Sequence, residues 1–287
     1  MKSQVKVAAI AVESHPARTE SNLQEIRRWA HRAAEQGADL ILCPELSVTG
    51  FVPNHPVGDH AQWLREVLQG AWAMSEPLDG PAVRELQGIS SEFGVFLAAG
   101  LLENAGNVLY NTHVLVGEGR LYARWRKMHI PMFEMPVYNG GGVPEVVDTP
   151  LGRIGANICF DALLPESTRL LGVQGCEIAL FPFAADPAPG TAQAWSAWAR
   201  PVLQARCAEN GLYGIACNYR GQVAYAGAAQ TFPGGTMVVG PSGAVLAESA
   251  EPLLFTELAA QSLLDARAAF EYTFRFRRPE LYGSLAR

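Results

Sequence analysis

Four segments of this chain recur, in the same order, further along it. "QGADLILCPE" (36–45) resembles "QGCEIALFPF" (174–183): Gly, a small residue, an acid, four apolar residues and Pro. "EFGVFLAAG" (92–100) resembles "ENGLYGIAC" (209–217), and "NTHVLVGEGRL" (111–121) resembles "GTMVVGPSGAV" (235–245), Thr on Thr and Gly on Gly. More weakly, "KVAAIAV" (6–12) resembles "RIGANIC" (153–159). The spacing between partners wanders, as loops of unequal length require. A half-length repeat of this kind restricts the fold to two similar units.

Each half reads as strand, helix, strand, helix, strand, strand. "SNLQEIRRWAHRAAEQGA" predicts the first helix, with Ser21 as N-cap, Glu25 in its first turn and Gly37 as its stop. "PAVRELQGISSEFG" predicts the second, and "AWARPVLQARCAENG" its counterpart, broken or begun at Pro201. Short apolar strands alternating with helices make an α/β protein. Two equivalent halves would bury their sheets against each other, which predicts a four-layer α-β-β-α sandwich as a single domain over 1–287. The segment 256–287 stands apart as a C-terminal tail; its "DARAAFEYTFRFRRPELYGSLAR" lies outside the repeat, and its aromatics and arginines suit packing on a neighbouring surface, such as another subunit.

Composition narrows the partners. Of the 287 residues, 28 are acidic and 22 basic, for a net charge of −6, and the densest basic tract, "RWRK" (124–127), is too short to bind a nucleic-acid backbone. The N-terminal apolar stretch is too short for a signal peptide, and nothing approaches the ~20 apolar residues of a membrane span. Five cysteines without a CxxC pair argue against a disulfide framework; Cys43, Cys176 and Cys217 read as buried free thiols. These features predict a soluble, cytoplasmic protein without a nucleic-acid or membrane partner.

The halves disagree at informative places. Glu45 ends the strand "DLILCPE", where the second half has Phe183. A carboxylate after an apolar run and a Pro is poorly solvated, which raises its pKa towards the range of a general base. A capping or salt-bridging role accounts for it as well. Lys127 closes another apolar run and could stabilise an oxyanion, or be an ordinary surface lysine. Glu134 sits in the Pro- and Gly-rich "KMHIPMFEMPVYNGGG". Cys159 stands where "RIGANIC" meets the helical "PESTRLLGVQG", in the position of a nucleophile on a strand-to-helix turn. His129 could pair with it, or be one of six scattered structural histidines.

Together, "LILCPELSVTGF", "RKMHIPMFE" and "NICFDALLPE" resemble the three signature blocks of the nitrilase (carbon–nitrogen hydrolase) superfamily. The matching residues are Pro44, Glu45, Gly50 and Phe51; Arg126, Lys127, His129 and Ile130; and Cys159, Phe160, Asp161, Pro165 and Glu166. Weaker similarities are "LYNT" (109–112), "RCAENGLY" (206–213) and "RRPELYG" (277–283). The resemblance spans about residue 5 to 283 and implies the duplicated sandwich, with members that usually pair as homodimers or larger homo-oligomers. It implies Glu45 as general base, Lys127 as electrostatic partner of the tetrahedral intermediate, Cys159 as nucleophile and Glu134 as a further glutamate near the nucleophile. His129 becomes a motif residue and not the base.

The implied activity is hydrolysis of a non-peptide C–N bond through a Cys159 thioester, the backbone N–H of Phe160 meeting the oxyanion. "CFD" sides with the amidase and carbamoylase branches, since true nitrilases tend to carry Cys-Trp-Glu. A small amide or N-carbamoyl (ureido) compound is therefore the expected substrate, with a nitrile, or a non-catalytic binding role on the same fold, as alternatives. No cofactor or metal is expected, because no HxxxH, CxxC or paired-acid ligand spacing occurs. Asp161 and Glu166 read as helix N-terminal carboxylates. Phe51, Phe133, Tyr138 and Trp195, in the loops after Glu45, Lys127 and Phe183, are candidate walls of the substrate pocket.

Overall fold

The fold is described from a computed structural model, over residues 1–53 and 58–286. In chain order the first half comprises β1 (Gln4–Ile10), α1 (Thr19–Glu35), β2 (Leu40–Leu42), α2 (His60–Met74), α3 (Pro81–Phe93), β3 (Phe96–Asn104), β4 (Leu109–Gly117) and β5 (Arg120–Arg126). The second comprises β6 (Val147–Thr149), β7 (Gly152–Ala156), α4 (Pro165–Val173), β8 (Ile178–Phe183), α5 (Ala192–Asn210), β9 (Tyr213–Asn218), β10 (Arg220–Tyr225), β11 (Ala228–Pro233), β12 (Thr236–Val239) and β13 (Val245–Ser249). β14 (Leu253–Ala259) and α6 (Ala260–Ala268) follow.

Two six-stranded sheets result, ordered β14-β1-β2-β3-β4-β5 and β6-β7-β8-β9-β12-β13. Their pairing senses match strand for strand. β1, β2 and β3 run parallel, as do β7, β8 and β9, and the outer strands are antiparallel. The four repeated segments thus occupy equivalent places: β1 with β7, β2 with β8, β3 with β9, β4 with β12. Val7, Leu40, Leu42 and Leu115 of one sheet meet Ile154, Ile178, Leu180 and Ile215 of the other in a shared core. α1 and α3 cover the outer face of the first sheet, through Ile26, Ala30, Leu86 and Ile89. α4 and α5 cover the second, through Leu171, Ala199 and Leu203. Each such buried Val, Leu or Ile side chain is worth about 1.5–3 kcal/mol against exposure, and the layers are the α-β-β-α sandwich.

Several expectations are corrected. α1 begins at Thr19, behind Arg18, so Ser21 lies inside the helix and is not its N-cap. The segment before it is held by Asn22, whose side chain accepts from the His15 N–H and donates to the His15 and Val48 carbonyls. Gly37, at φ 83°, does follow the helix as its stop. α5 neither breaks nor starts at Pro201 but runs through it, because its apolar face of Trp195, Ala199, Leu203 and Cys207 is buried on both sides of the proline. Residues 256–259 are the second half of β14, paired along β1, so the tail outside the sandwich starts after them.

α2 and the β10–β11 hairpin have no counterpart across the repeat. They meet over the sandwich in a separate cluster of Phe51, Trp63, Val67, Val223 and Phe232, joined by Leu46, Tyr138 and Ala184. Among the described residues no helix is long and apolar enough to cross a membrane.

Candidate active site

Glu45 sits three residues past β2, in a segment that goes on bonding to β3 after regular pairing stops. Cys43 N–H donates to the Ala98 carbonyl at 2.8 Å and Val48 N–H to the Gly100 carbonyl at 2.7 Å. In return Gly100 N–H donates to Ser47 Oγ (3.3 Å) and Leu102 N–H to Thr49 Oγ1 (2.9 Å). Gly100 is required there: a Cβ on it would stand 2.3 Å from the Leu46 nitrogen. Side-chain hydroxyls thus stand in for strand carbonyls and fix the carboxylate's backbone.

Lys127 follows β5. Its N–H donates to the Asn111 carbonyl at 2.8 Å, and its own carbonyl accepts from Gly141 at 2.7 Å. The side chain is fully buried, with Nζ 2.8 Å from Glu45 Oε1 and 2.7 Å from Glu134 Oε2. Glu134 is delivered by a compact turn, in which the Glu134 and Met135 N–H groups donate to the Pro131 carbonyl and Val137 and Tyr138 donate back to Glu134. Asn111 Nδ2 also donates to Glu45 Oε1, at 2.7 Å, while Glu45 Oε2 is buried without a partner among the described residues.

Cys159 opens a short 3₁₀ helix (Cys159–Leu163) between β7 and α4. Its φ of 48° is left-handed, a region a non-glycine residue enters at a cost of roughly 1–3 kcal/mol and one that concentrates at functional sites. The strand end is held by Asn157, whose N–H donates to the Leu180 carbonyl and whose Oδ1 accepts from Thr168 Oγ1 at 2.9 Å. Cys159 is 9% exposed, whereas Cys43, Cys176, Cys207 and Cys217 are at 0%.

The charges interact strongly. Burial alone would lower the Lys127 pKa, but Glu134 and Glu45 outweigh it and hold the ammonium well above its ordinary value. Burial, helped by the Glu45 charge and opposed by Lys127, pushes the Glu134 carboxyl up to about 7. Burial and then the Glu45 charge push the Cys159 thiol well up, with Lys127 pulling the other way. Cys159 therefore rests as a thiol, within the electrostatic reach of Glu45, Lys127 and Glu134. The His129 pKa is raised mainly by its hydrogen bond to Asp161.

Asp161 does more than the helix N-terminal role expected of it. Besides the Ile158 N–H at 3.2 Å, its carboxylate takes the N–H groups of Met128 (3.2 Å) and His129 (2.9 Å) and contacts His129 Nδ1 at 2.8 Å. Glu103, not singled out in the sequence, pairs with Arg126 and is approached by Arg124, so the "RWRK" arginines are occupied by a buried acid. Its position on β4's neighbour, opposite Tyr110, gave no periodic signal to find it by.

The expected pocket walls separate. Phe133 and Tyr138 line a small cavity of about 10 Å³ beside Glu134, with Val52, Trp63 and Val67. Phe51 is buried within the same apolar cluster, edge-on to Phe232. Trp195 is not at an open wall: it is fully buried between Phe183 and Gly235, because α5 starts early enough to turn it into the core. Part of the loop after Glu45 that was expected to line the pocket, 54–57, lies outside the described residues. A wider cavity, about 530 Å³, runs along β5 and residues 142–147, over Arg124 and Arg126 rather than the Cys159 turn.

Residues 6–261 match the family described as carbon-nitrogen hydrolase. The chain is 31% identical to the deaminated glutathione amidase of Mus musculus, over 97% of this chain and 85% of that protein. It is 27% identical to the citrullinase of Francisella tularensis, over 99% and 98%. A double mutant of the Nesterenkonia sp. AN1 amidase, solved in complex with acrylamide, superposes with a TM-score of 0.78 at 26% identity, covering 99% of this chain and 97% of that one. The chain belongs to the carbon-nitrogen hydrolase family, the nitrilase superfamily, and is a hydrolase of that fold.

Proposed function

We propose that this enzyme hydrolyses a small amide or N-carbamoyl compound through a Cys159 thioester, releasing ammonia. The observation that carries this reading is the buried Glu45–Lys127–Glu134 cluster beside a cysteine in a left-handed strand-to-helix turn. Lys127 and Asn111 both bond Glu45 Oε1, which leaves Oε2 as the oxygen that takes the thiol proton. The sulfur then attacks the carbonyl carbon as its π electrons move onto oxygen. The Phe160 N–H and the Lys127 ammonium meet that oxyanion, and one such preorganised donor is worth about 3–4 kcal/mol. Collapse breaks the C–N bond, and ammonia leaves with the proton from Glu45. Water, deprotonated by the same carboxylate, cleaves the thioester to acid and thiol. Glu134 holds Lys127 from the other side and, with Phe133 and Tyr138, borders the substrate.

The amide and ureido choice draws support from relatives named for an amidase and a citrullinase, while a nitrilase among the relatives keeps the nitrile as the alternative. The whole chain acts as one domain. It pairs with a second copy through the tail, where Phe270 (86% exposed), Phe276 and Leu281 offer apolar surface. A cytoplasmic setting fits five free cysteines.

The test is ammonia release from a panel of short aliphatic amides, amino-acid amides, N-carbamoyl amino acids, ureido amines and matched nitriles. Cys159→Ala is expected to lower turnover by at least about 10⁴-fold while keeping the fold. Preferred turnover of a nitrile over its amide would overturn the substrate class, and full activity in Cys159→Ala would overturn the mechanism.

A further inference from the structure

Asp161 gathers donors from two segments some thirty residues apart. Its Oδ1 accepts the His129 N–H at 2.9 Å and lies 2.8 Å from His129 Nδ1. Its Oδ2 accepts the N–H groups of Met128 and Ile158, each at 3.2 Å. The side chain is 2% exposed. Capping the 3₁₀ helix requires only the Ile158 N–H; the three contacts with residues 128 and 129 exceed that need. Met128 is the next residue after Lys127, and Ile158 is the residue before Cys159. One buried carboxylate therefore ties the backbone that carries the ammonium to the backbone that carries the thiol.

Resting on the function proposed above, we infer that Asp161 is a positioning residue, which holds the Lys127 segment and the Cys159 turn at the separation the reaction needs. The two oxygens divide the work: Oδ2 faces two backbone N–H groups, and Oδ1 faces one backbone N–H and the His129 ring nitrogen. Asparagine is nearly isosteric, but one of its two terminal groups is an NH₂ that cannot accept. Whichever way the amide turns, at least one backbone N–H faces a donor. The turn and the lysine segment then move apart, or a water enters between them. A displacement of about 1 Å in a reacting constellation costs on the order of 10²-fold in rate. Substrate binding, which Asp161 does not touch, is left nearly as it was.

The experiment compares wild type with Asp161→Asn in two ways. Steady-state turnover of the best amide is expected to show kcat lowered about 10- to 100-fold and KM within about threefold. The rate of Cys159 alkylation by iodoacetamide, corrected for the total titratable thiol at that site, is expected to fall in parallel. A cap that served stability alone would lower the fraction of folded, titratable enzyme and leave kcat per titrated site unchanged; that outcome overturns the proposal. If Asp161→Asn does not fold, His129→Ala removes a single donor and is expected to cost about 3- to 10-fold in kcat, and a wild-type kcat per site overturns the proposal. The alkylation readout needs no turnover, so a wild type inactive on every amide would count against the proposed function, while an alkylation rate unchanged in Asp161→Asn would still overturn the role of Asp161.

Discussion

The two halves of the molecule carry the same sheet twice, and their strand ends are not alike. β2 leads to Glu45, while β8 leads to Phe183, a buried partner of Trp195 and Trp198. β7 leads to Cys159 in a left-handed turn, while the matching position after β1 is Val12, buried against α1. The first half thus supplies the carboxylates and the lysine, and the second the thiol. Strand order and core packing tolerate the duplication because they depend on apolar periodicity alone. The polar cluster cannot be duplicated: each copy would need its own buried lysine with matched carboxylates, and an unmatched buried charge costs several kcal/mol.

That contrast can be broken most sharply at Glu45. Glu45→Gln keeps the shape and the Lys127 contact but removes the base, and kcat is expected to fall roughly 10²- to 10⁴-fold in the ammonia assay. Glutamate at Glu134 makes a smaller, pH-dependent contribution. Its pKa is raised from the ordinary carboxylate value to about 7, so the folded chain holds a proton the unfolded chain has lost in the window between them. The contribution to stability is complete below the ordinary value and is lost as pH rises through about 7. Glu134→Gln is expected to flatten this part of the stability curve, read by urea unfolding from pH 4 to 8; an unchanged slope would reject the assignment. The smallest effect should come from Val12→Cys, which puts a thiol at the place equivalent to Cys159. Without a left-handed turn or a charged cluster, that thiol is expected to resist iodoacetamide, with a stability cost below about 1.5 kcal/mol.

The sandwich was legible because strands buried on both faces leave continuous apolar runs, and such runs recurring in order can hardly arise from anything but a repeat. Glu45, Lys127, Glu134 and Cys159 were found at strand ends or in a loop rich in Pro and Gly, and the structure brings the first three into one ion cluster next to the thiol. Less legible was whatever depended on distant partners. Asp161 looked like a cap because its near neighbour Ile158 is local, whereas Met128 and His129 reach it across the fold. Trp195 looked like a loop residue because Pro201 suggested a later helix start, yet tertiary burial carried α5 through the proline. α2 has helical spacing in "HAQWLREVLQGAWAM" but no echo in the second half, so the repeat offered no template for it.

β14 pairs antiparallel with β1, from Gln4 opposite Ala259 to Ile10 opposite Leu253. In the second sheet the equivalent edge place is taken by β6, which precedes its neighbour in the chain. β1 is therefore synthesised long before the strand that pairs with it. Until residue 259 emerges, β1 presents one row of unpaired N–H and C=O groups, an edge that invites strand addition from another nascent chain. At about 5–20 residues per second of synthesis, that exposure lasts on the order of ten seconds or more. A chain truncated before β14 would keep the cluster around Lys127 and still carry an open sheet.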